Sequence, residues 1–128
     1  MSEMATYFWV NLPVKELEKS MEFFRALGYT VSKQNEMGRV AIGEQNSPII
    51  LVQEAAFQQF AENGLVDSAQ STEVLLSISA DTRDEVHEMC QKVVQAGGSV
   101  FSEPGEFDDM YGAGFTDLDG HRWNLLVM

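Results

Sequence analysis

An internal repeat is the feature of this chain that most constrains its fold. Residues 7–29 contain an extended run, a short polar break, a helix with one apolar face and a glycine stop, and residues 74–98 repeat this order. The similarity continues downstream, where residues 39–52 resemble residues 112–127. A long-period repeat of this kind predicts two similar modules, each with the element order βαβββ.

The alignment of the two copies also pairs individual residues. It sets Trp9 opposite Leu75, Asn11 opposite Ser77, and Leu51 opposite Asn124. Residues paired in this way are expected to occupy equivalent places in the two modules, so any site that one module builds has a counterpart in the other.

Length and composition bound the remaining possibilities. The 128 residues suit one domain, with module one at 5–54, a linker at 55–71 and module two at 72–128. Eight basic against 20 acidic residues give a net charge of −12, which disfavours nucleic acid as a partner. No apolar run is long enough for a membrane span. A single cysteine rules out an internal disulfide framework and favours a cytoplasmic location.

Periodicity and turn residues predict the individual elements. Module one should contain a strand at 5–12, a helix at 14–27 and strands at 29–34, 40–43 and 48–53. Within the linker, residues 55–61 are expected to form a helical turn. Module two should contain a strand at 73–80, a helix from a capping box at 82–85 to a stop at 96–98, and strands at 99–102, 110–116 and 121–128. An acidic stretch at 103–109 is expected to be a loop.

Two phrases carry a family resemblance. They are the strand-to-helix entry V-x-E-L at 14–17 and the hairpin F-x-D-x-D-G-H-x-W at 115–123. Together with the repeat they resemble the vicinal oxygen chelate superfamily, which is the group of glyoxalases, bleomycin resistance proteins and extradiol dioxygenases. The resemblance implies an α+β fold in which two tandem βαβββ modules form a curled mixed sheet, a half-barrel cup, with the helices on its outer face.

The resemblance also implies where a metal would bind. Enzymes of this group hold a divalent cation through four side chains from the first and fourth strands of the modules, and the corresponding positions here are Trp9, Leu51, Leu75 and Asn124. The first three cannot ligate such a cation, and the Asn124 amide is a weak oxygen donor. A shift of one residue in any strand supplies no better ligand. We therefore predict no metal site and no cofactor.

Strand alternation instead predicts a small-molecule pocket on the concave side of the sheet. The residues expected to share this surface are aromatic, aliphatic or neutral hydrogen-bonding: Tyr7, Trp9, Asn11, Leu51, Gln53, Leu75, Ser77, Tyr111 and Asn124. Apolar walls with a few convergent polar groups are typical of ligand sites. The alternative is a cup that closes on its own apolar side chains as a second core.

Three functions follow from these patterns. The first is a metal-independent binding protein that sequesters a small cationic or aromatic molecule in the cup. The second is a metal-dependent lyase or isomerase of the lactoylglutathione lyase type, so enzymatic activity stays open although the ligand positions disfavour it. The third is a dimerisation module without a ligand. The resemblance implies a homodimer in each case, and the linker at 55–71 could serve as a lid.

Overall fold

A computed structural model describes Met4, Ala5 and residues 7–128 of the chain. The elements follow in the order β1 (Val10–Val14), α1 (Leu17–Ala26), β2 (Thr30–Gln34), β3 (Met37–Ile42), β4 (Ser47–Gln53), α2 (Glu54–Ala61), β5 (Leu75–Ala80), α3 (Arg83–Gln95), β6 (Ser99–Phe107), β7 (Met110–Thr116) and β8 (Arg122–Val127). The order βαβββ occurs twice, as the repeat predicts, and α2 lies between the two copies.

Each module forms its own four-stranded mixed sheet. The strand order is β1-β4-β3-β2 in sheet one and β5-β8-β7-β6 in sheet two. The first and fourth strands of each module pair in parallel, and the other neighbours pair antiparallel. The two sheets have the same topology, which confirms the predicted α+β fold of two repeated modules.

The two long helices begin and end where local chemistry favours it. At the start of α3 the Thr82 hydroxyl accepts a hydrogen bond from the Glu85 N–H (3.1 Å), and the Glu85 carboxylate accepts one from the Thr82 N–H (3.2 Å). This reciprocal pair is the predicted capping box. Gly28 and Gly97 follow the two helices with φ of 107° and 102°, a conformation that glycine adopts without strain.

One hydrophobic core joins the modules. Helix α1 contributes Met21, Phe23 and Phe24, and sheet two contributes Phe115 and Trp123, each at most 2% exposed. The rings of Phe24 and Trp123 lie 5.7 Å apart, and those of Phe115 and Trp123 are stacked at 6.0 Å. Full burial of a large apolar side chain contributes roughly 1.5 to 3 kcal/mol, so this aromatic contact is a main source of inter-module stability.

The predicted first strand at 5–12 is wrong in its position. Strand β1 runs from Val10 to Val14, and its one neighbour, β4, offers Ile49 as the first partner, opposite Val10. Residues 7–9 are therefore outside the strand, and Thr6 lies outside the described residues. Because β1 is an edge strand, it tolerates Pro13, which has no N–H to donate. The strand also takes Val14, so α1 begins at Leu17 rather than at residue 14.

The predicted loop at 103–109 is also wrong. Strand β6 continues to Phe107 and pairs with β7, with shifts in register on either side of Ser102. These irregularities admit Pro104 into the strand. The reversal itself is limited to Asp108 and Asp109, whose φ values of 48° and 63° are those of a two-residue hairpin turn. The acidic residues before it are strand residues, which the charge pattern concealed.

None of the helices in the described part of the chain is both long and apolar enough to cross a membrane.

Candidate ligand-binding site

Each sheet has one face covered by a long helix and one turned away from it, which we call the open face. In sheet one the covered face is marked by Leu12, Val14 and Leu51, which belong to the core, and by Gly38, where an added Cβ would meet Met21 of α1. In sheet two the covered face is marked by Trp123 and Leu125, which belong to the core, and by Ile78, which packs against it. Strand alternation then assigns the intervening residues to the open faces.

Three of the predicted site residues share the open face of sheet two. Ser77 of β5 is directly opposite Asn124 of β8, and Leu75 is opposite Arg122. Leu75 is 50% exposed although it is aliphatic. The structure thus brings Leu75, Ser77 and Asn124 together as predicted for module two.

Two predicted residues of module one lie on the wrong face. Asn11 is opposite Ile50, so the open face of sheet one carries Asn11 and Ile50. Leu51 is fully buried in the core on the covered face. Gln53 is two residues further along β4 and therefore lies on the same face as Leu51. The error is a shift of one residue in β4, whose sequence is apolar on both faces and offers no alternation to read.

Tyr111 is likewise misplaced by the sequence prediction. Its ring packs against the core on the α3 side of sheet two. Its hydroxyl lies 2.6 Å from Nε2 of His87, and the guanidinium carbon of Arg83 lies 4.5 Å from its ring centre. Tyr111 therefore joins β7 to α3 and does not face the open side.

The remaining two predicted residues precede β1. Trp9 is 51% exposed and Tyr7 is 82% exposed. With Phe8, which is 82% exposed, they form three consecutive exposed aromatic side chains, and a contiguous exposed apolar patch is a feature of partner and ligand sites. By contrast Trp123 is 2% exposed, so the two tryptophans of the chain report on different environments.

The turn between β7 and β8 is organised by a buried carboxylate. Asp117 Oδ1 accepts hydrogen bonds from the backbone N–H groups of Asp119 and His121, both at 3.0 Å, and Oδ2 accepts one from the Trp123 indole (3.2 Å). Burial raises the pKa of Asp117 above its ordinary value of 3.8, against the opposing effects of His121 and these hydrogen bonds. This network accounts for the D-x-D-G-H-x-W spacing of the hairpin.

The same turn attaches module two to module one. Asp119 accepts a hydrogen bond from the Lys15 N–H (2.9 Å) and another from the Ser20 hydroxyl (2.9 Å). His121 Nε2 lies 2.7 Å from the Pro13 carbonyl oxygen, which can only accept, so Nε2 carries the proton. These contacts give His121 a structural role in the hairpin.

A cavity of about 250 Å³ lies between β1, the linker and the β7–β8 turn. Of the predicted site residues only Asn11 lines it. Its wall includes Glu54 and Phe57 of α2, so the linker forms one side of the cavity. Arg122 lines the cavity as well, and it also lies on the open face of sheet two.

Sequence reasoning missed two residues of that open face. The Arg122 guanidinium carbon lies 4.2 Å from the ring centre of Phe101. The Phe101 ring lies over Gly114, where any added Cβ would overlap it. Arg122 could have been found, because it stands two residues before Asn124 in the same strand. Phe101 could not, because it lies where the register of β6 shifts.

The residues at the family's metal positions do not fit a divalent cation. With the observed register, Ile50 replaces Leu51 as the counterpart of Asn124, because Asn11 pairs with Ile50 as Ser77 pairs with Asn124. Trp9, Ile50 and Leu75 offer no ligand atom, and a single amide oxygen is a weak donor. Among residues 4, 5 and 7–128, no group of three or more His, Cys, Asp or Glu side chains is arranged to hold a metal.

Comparisons with known proteins agree with this architecture. A profile of the Glyoxalase/Bleomycin resistance protein/Dioxygenase superfamily matches residues 6–125. A structure of a hypothetical protein from S. aureus is 37% identical, with a TM-score of 0.91 over 98% of this chain and 96% of that one. A comparison with curated proteins found no significant match.

More distant structures share the fold. A glyoxalase-related enzyme from Fulvimarina pelagi is 18% identical, with a TM-score of 0.82 over 98% of this chain and 89% of that one. A glyoxalase/bleomycin resistance protein/dioxygenase family enzyme from Burkholderia phytofirmans PsJN is 17% identical, with a TM-score of 0.79 over 93% of this chain and 95% of that one.

The sheets and helices define a protein of two tandem βαβββ modules. The chain belongs to the Glyoxalase/Bleomycin resistance protein/Dioxygenase superfamily.

Proposed function

We propose that this protein binds a small molecule with an aromatic or aliphatic body on its open sheet faces, without a divalent metal. The observation that carries the proposal is the composition of these faces. Leu75 is half exposed beside the neutral polar groups of Ser77 and Asn124, and Trp9 is half exposed before β1. Apolar surface combined with a few hydrogen-bonding groups is what a small-molecule site offers.

The donor chemistry supports metal independence. A divalent cation needs several charged or imidazole ligands to offset its loss of hydration, and the four family positions supply one amide. The binding energy must then come from contact with apolar side chains and from hydrogen bonds to the ligand. Burial of 100 Å² of apolar surface contributes about 2.5 kcal/mol, so an aromatic ring seated on Trp9 or Leu75 contributes substantially.

The first measurement is the metal content of protein purified without chelator, followed by titration with zinc, nickel and manganese. We expect less than stoichiometric metal and no saturable binding. One tightly bound metal per chain, together with a catalytic rate that a chelator abolishes, would replace this proposal with a lyase or isomerase of the glyoxalase type.

The second measurement is a calorimetric screen of small aromatic and aliphatic compounds. We expect Trp9→Ala to weaken binding, whereas Phe107→Ala, which removes a 79% exposed aromatic at the β6–β7 turn, leaves it unchanged. Equal affinity of wild type and Trp9→Ala for every compound that binds would refute the role of Trp9.

We also propose that the protein is a homodimer. The support for this proposal is the homodimer that the family resemblance implies, and Val74, which precedes β5 and is 53% exposed, is a candidate contact. Light scattering should give a mass of twice 14.3 kDa. A dimer that binds no compound of the screen would instead favour the dimerisation module without a ligand.

A further inference from the structure

The two open faces differ in charge from the rest of the chain. The open-face positions of β5 and β8 are Leu75, Ser77, Ser79, Arg122, Asn124 and Leu126, and none is acidic. In sheet one the corresponding positions of β1, β3 and β4 are likewise free of Asp and Glu, and they include Arg39, opposite Ile50. A chain with 20 acidic residues and a net charge of −12 thus carries one arginine and no carboxylate along these strands on each open face.

Neither of these two arginines forms an ion pair among the described residues. Within residues 4, 5 and 7–128, five of the eight basic side chains form ion pairs, and each of these pairs includes a residue in or next to a long helix. Arg39 and Arg122 form no ion pair with any carboxylate of the described residues, although both are half-buried. A guanidinium without a carboxylate beside it is available to receive an anion from outside the chain.

The geometry around Arg122 holds its guanidinium in place. The guanidinium carbon lies 4.2 Å from the ring centre of Phe101, and Phe101 occupies the space that the missing side chain of Gly114 leaves. This cation–π contact forms no hydrogen bond with the guanidinium N–H groups, so it does not use them as donors. A planar fork of this kind matches the two oxygens of a carboxylate.

From these observations we infer that the small molecule bound on sheet two carries a carboxylate, which Arg122 receives beside Ser77 and Asn124. This inference rests on the proposed small-molecule function and names the chemical class of the ligand. The net charge of the chain alone favoured a cationic ligand, whereas the positive local charge of the open face favours an anionic one. Arg122 also lines the cavity whose wall includes Glu54, Glu73 and Asp119, but it forms no ion pair with any of these carboxylates, and Phe101, whose ring lies beside the guanidinium, is not part of that cavity.

The test compares ligands that share a body and differ in the charge of the head group. Phenylacetate, phenylacetamide and phenethylamine form one set, and indole-3-acetate, indole-3-acetamide and tryptamine form a second. Calorimetry gives the affinities, and backbone amide chemical shifts of Ser77, Arg122 and Asn124 give the location. In at least one set we expect the carboxylate to bind most tightly and to shift these three amides.

Variants assign the effect to the side chain. Arg122→Gln should weaken carboxylate binding roughly 10- to 100-fold, as expected for loss of a charge-assisted hydrogen bond, and leave amide binding nearly unchanged. Arg122→Lys keeps the charge but loses the planar fork, so its affinity for the carboxylate should lie between those of wild type and Arg122→Gln. Lys92→Gln, which removes a charge from the exposed side of α3, is the matched control and should have no effect.

The outcomes separate this inference from the broader function. The carboxylate assignment would be wrong if the amides or amines bound on the open faces at least as tightly as the carboxylates. It would also be wrong if Arg122→Gln bound the carboxylates as tightly as wild type does. Either result would leave the proposal of small-molecule binding in place. No binding on the open faces by any member of either set would remove both.

Discussion

Replacement of Asp117 should destabilise the protein in a way that depends on both the substituent and the pH. In Asp117→Ala, two backbone N–H groups and the Trp123 indole lose their common acceptor. A buried donor without a partner costs about 1 to 3 kcal/mol, and removal of the buried charge offsets part of the sum. We expect a net loss of about 2 to 4 kcal/mol in the free energy of unfolding at neutral pH.

Asp117→Asn should cost less. Its amide oxygen can still accept the two backbone hydrogen bonds, but its NH₂ group would face the Trp123 indole, which is itself a donor. The loss of one hydrogen bond to a charged acceptor costs roughly 1.5 to 3 kcal/mol. The neutral amide avoids the cost of burying a carboxylate, which offsets part of this loss. The expected order of stability is wild type, then Asp117→Asn, then Asp117→Ala.

The pH dependence gives a stricter test. Because burial raises the pKa of Asp117, the folded protein binds this proton more tightly than the unfolded chain does. The contribution of Asp117 to stability is therefore greatest below the unfolded pKa, near 3.8, and falls as the pH rises through the folded pKa. The amide introduced by Asp117→Asn does not titrate, so the free energy of unfolding of this variant lacks this decrease. The difference in free energy of unfolding between wild type and Asp117→Asn should therefore become smaller as the pH rises.

Urea denaturation followed by tryptophan fluorescence, repeated between pH 3.5 and about 7.5, measures both effects because Trp123 is buried beside Asp117. Asp84→Ala, an exposed carboxylate in the first turn of α3, is the control and should cost under about 1 kcal/mol. A deficit of Asp117→Asn that widens with rising pH would show that the hydrogen bonds outweigh desolvation. A cost below about 1 kcal/mol for Asp117→Ala would refute the role of the network.

Three further changes test other parts of the fold. Thr82→Ala removes the hydroxyl that accepts the Glu85 N–H and should lower the free energy of unfolding by about 1 kcal/mol in urea titrations. Gly98→Ala places a Cβ 2.5 Å from the Thr116 carbonyl oxygen, which cannot move freely, and should cost about 1 to 3 kcal/mol by the same measurement. Burial raises the pKa of the Cys90 thiol, so native protein should react with a thiol reagent at pH 8 far more slowly than urea-unfolded protein.

Each of these changes has a control. Thr72→Ala removes an exposed hydroxyl outside any helix and should be neutral within about 0.5 kcal/mol. Gly64→Ala meets nothing within 4 Å and should also be neutral. Glu103 adds to the raised pKa of Cys90, so Glu103→Gln should speed the thiol reaction. Rapid labelling of the native wild type would contradict the burial of the thiol.

The sequence predicted most of the fold because the chain repeats it. The repeat revealed the order of elements, and the Thr82 capping box and the Asp-Gly turn before β8 were legible from local chemistry. In module two the polar residues Ser77 and Asn124 interrupt apolar neighbours, so alternation assigned the open face correctly.

Parts of the candidate site were not predictable for specific reasons. Residues 48–52 are apolar without interruption, so no pattern could show that Ile50 rather than Leu51 faces away from α1. Tyr111 stands before the small residues of β7, which show no alternation of polarity. Phe101 reaches the open face through a shift in the register of β6, and such a shift depends on the partner strand.

The contacts of the β7–β8 turn with module one have a consequence for how the chain folds. Asp119 bonds to Lys15 and Ser20 across 104 and 99 positions of sequence, and His121 reaches Pro13 across 108. Contacts between such distant residues slow folding, because most of the chain must be ordered before they form. They also bind the two halves into one cooperative unit, so the repeated modules should melt in a single transition rather than one after the other.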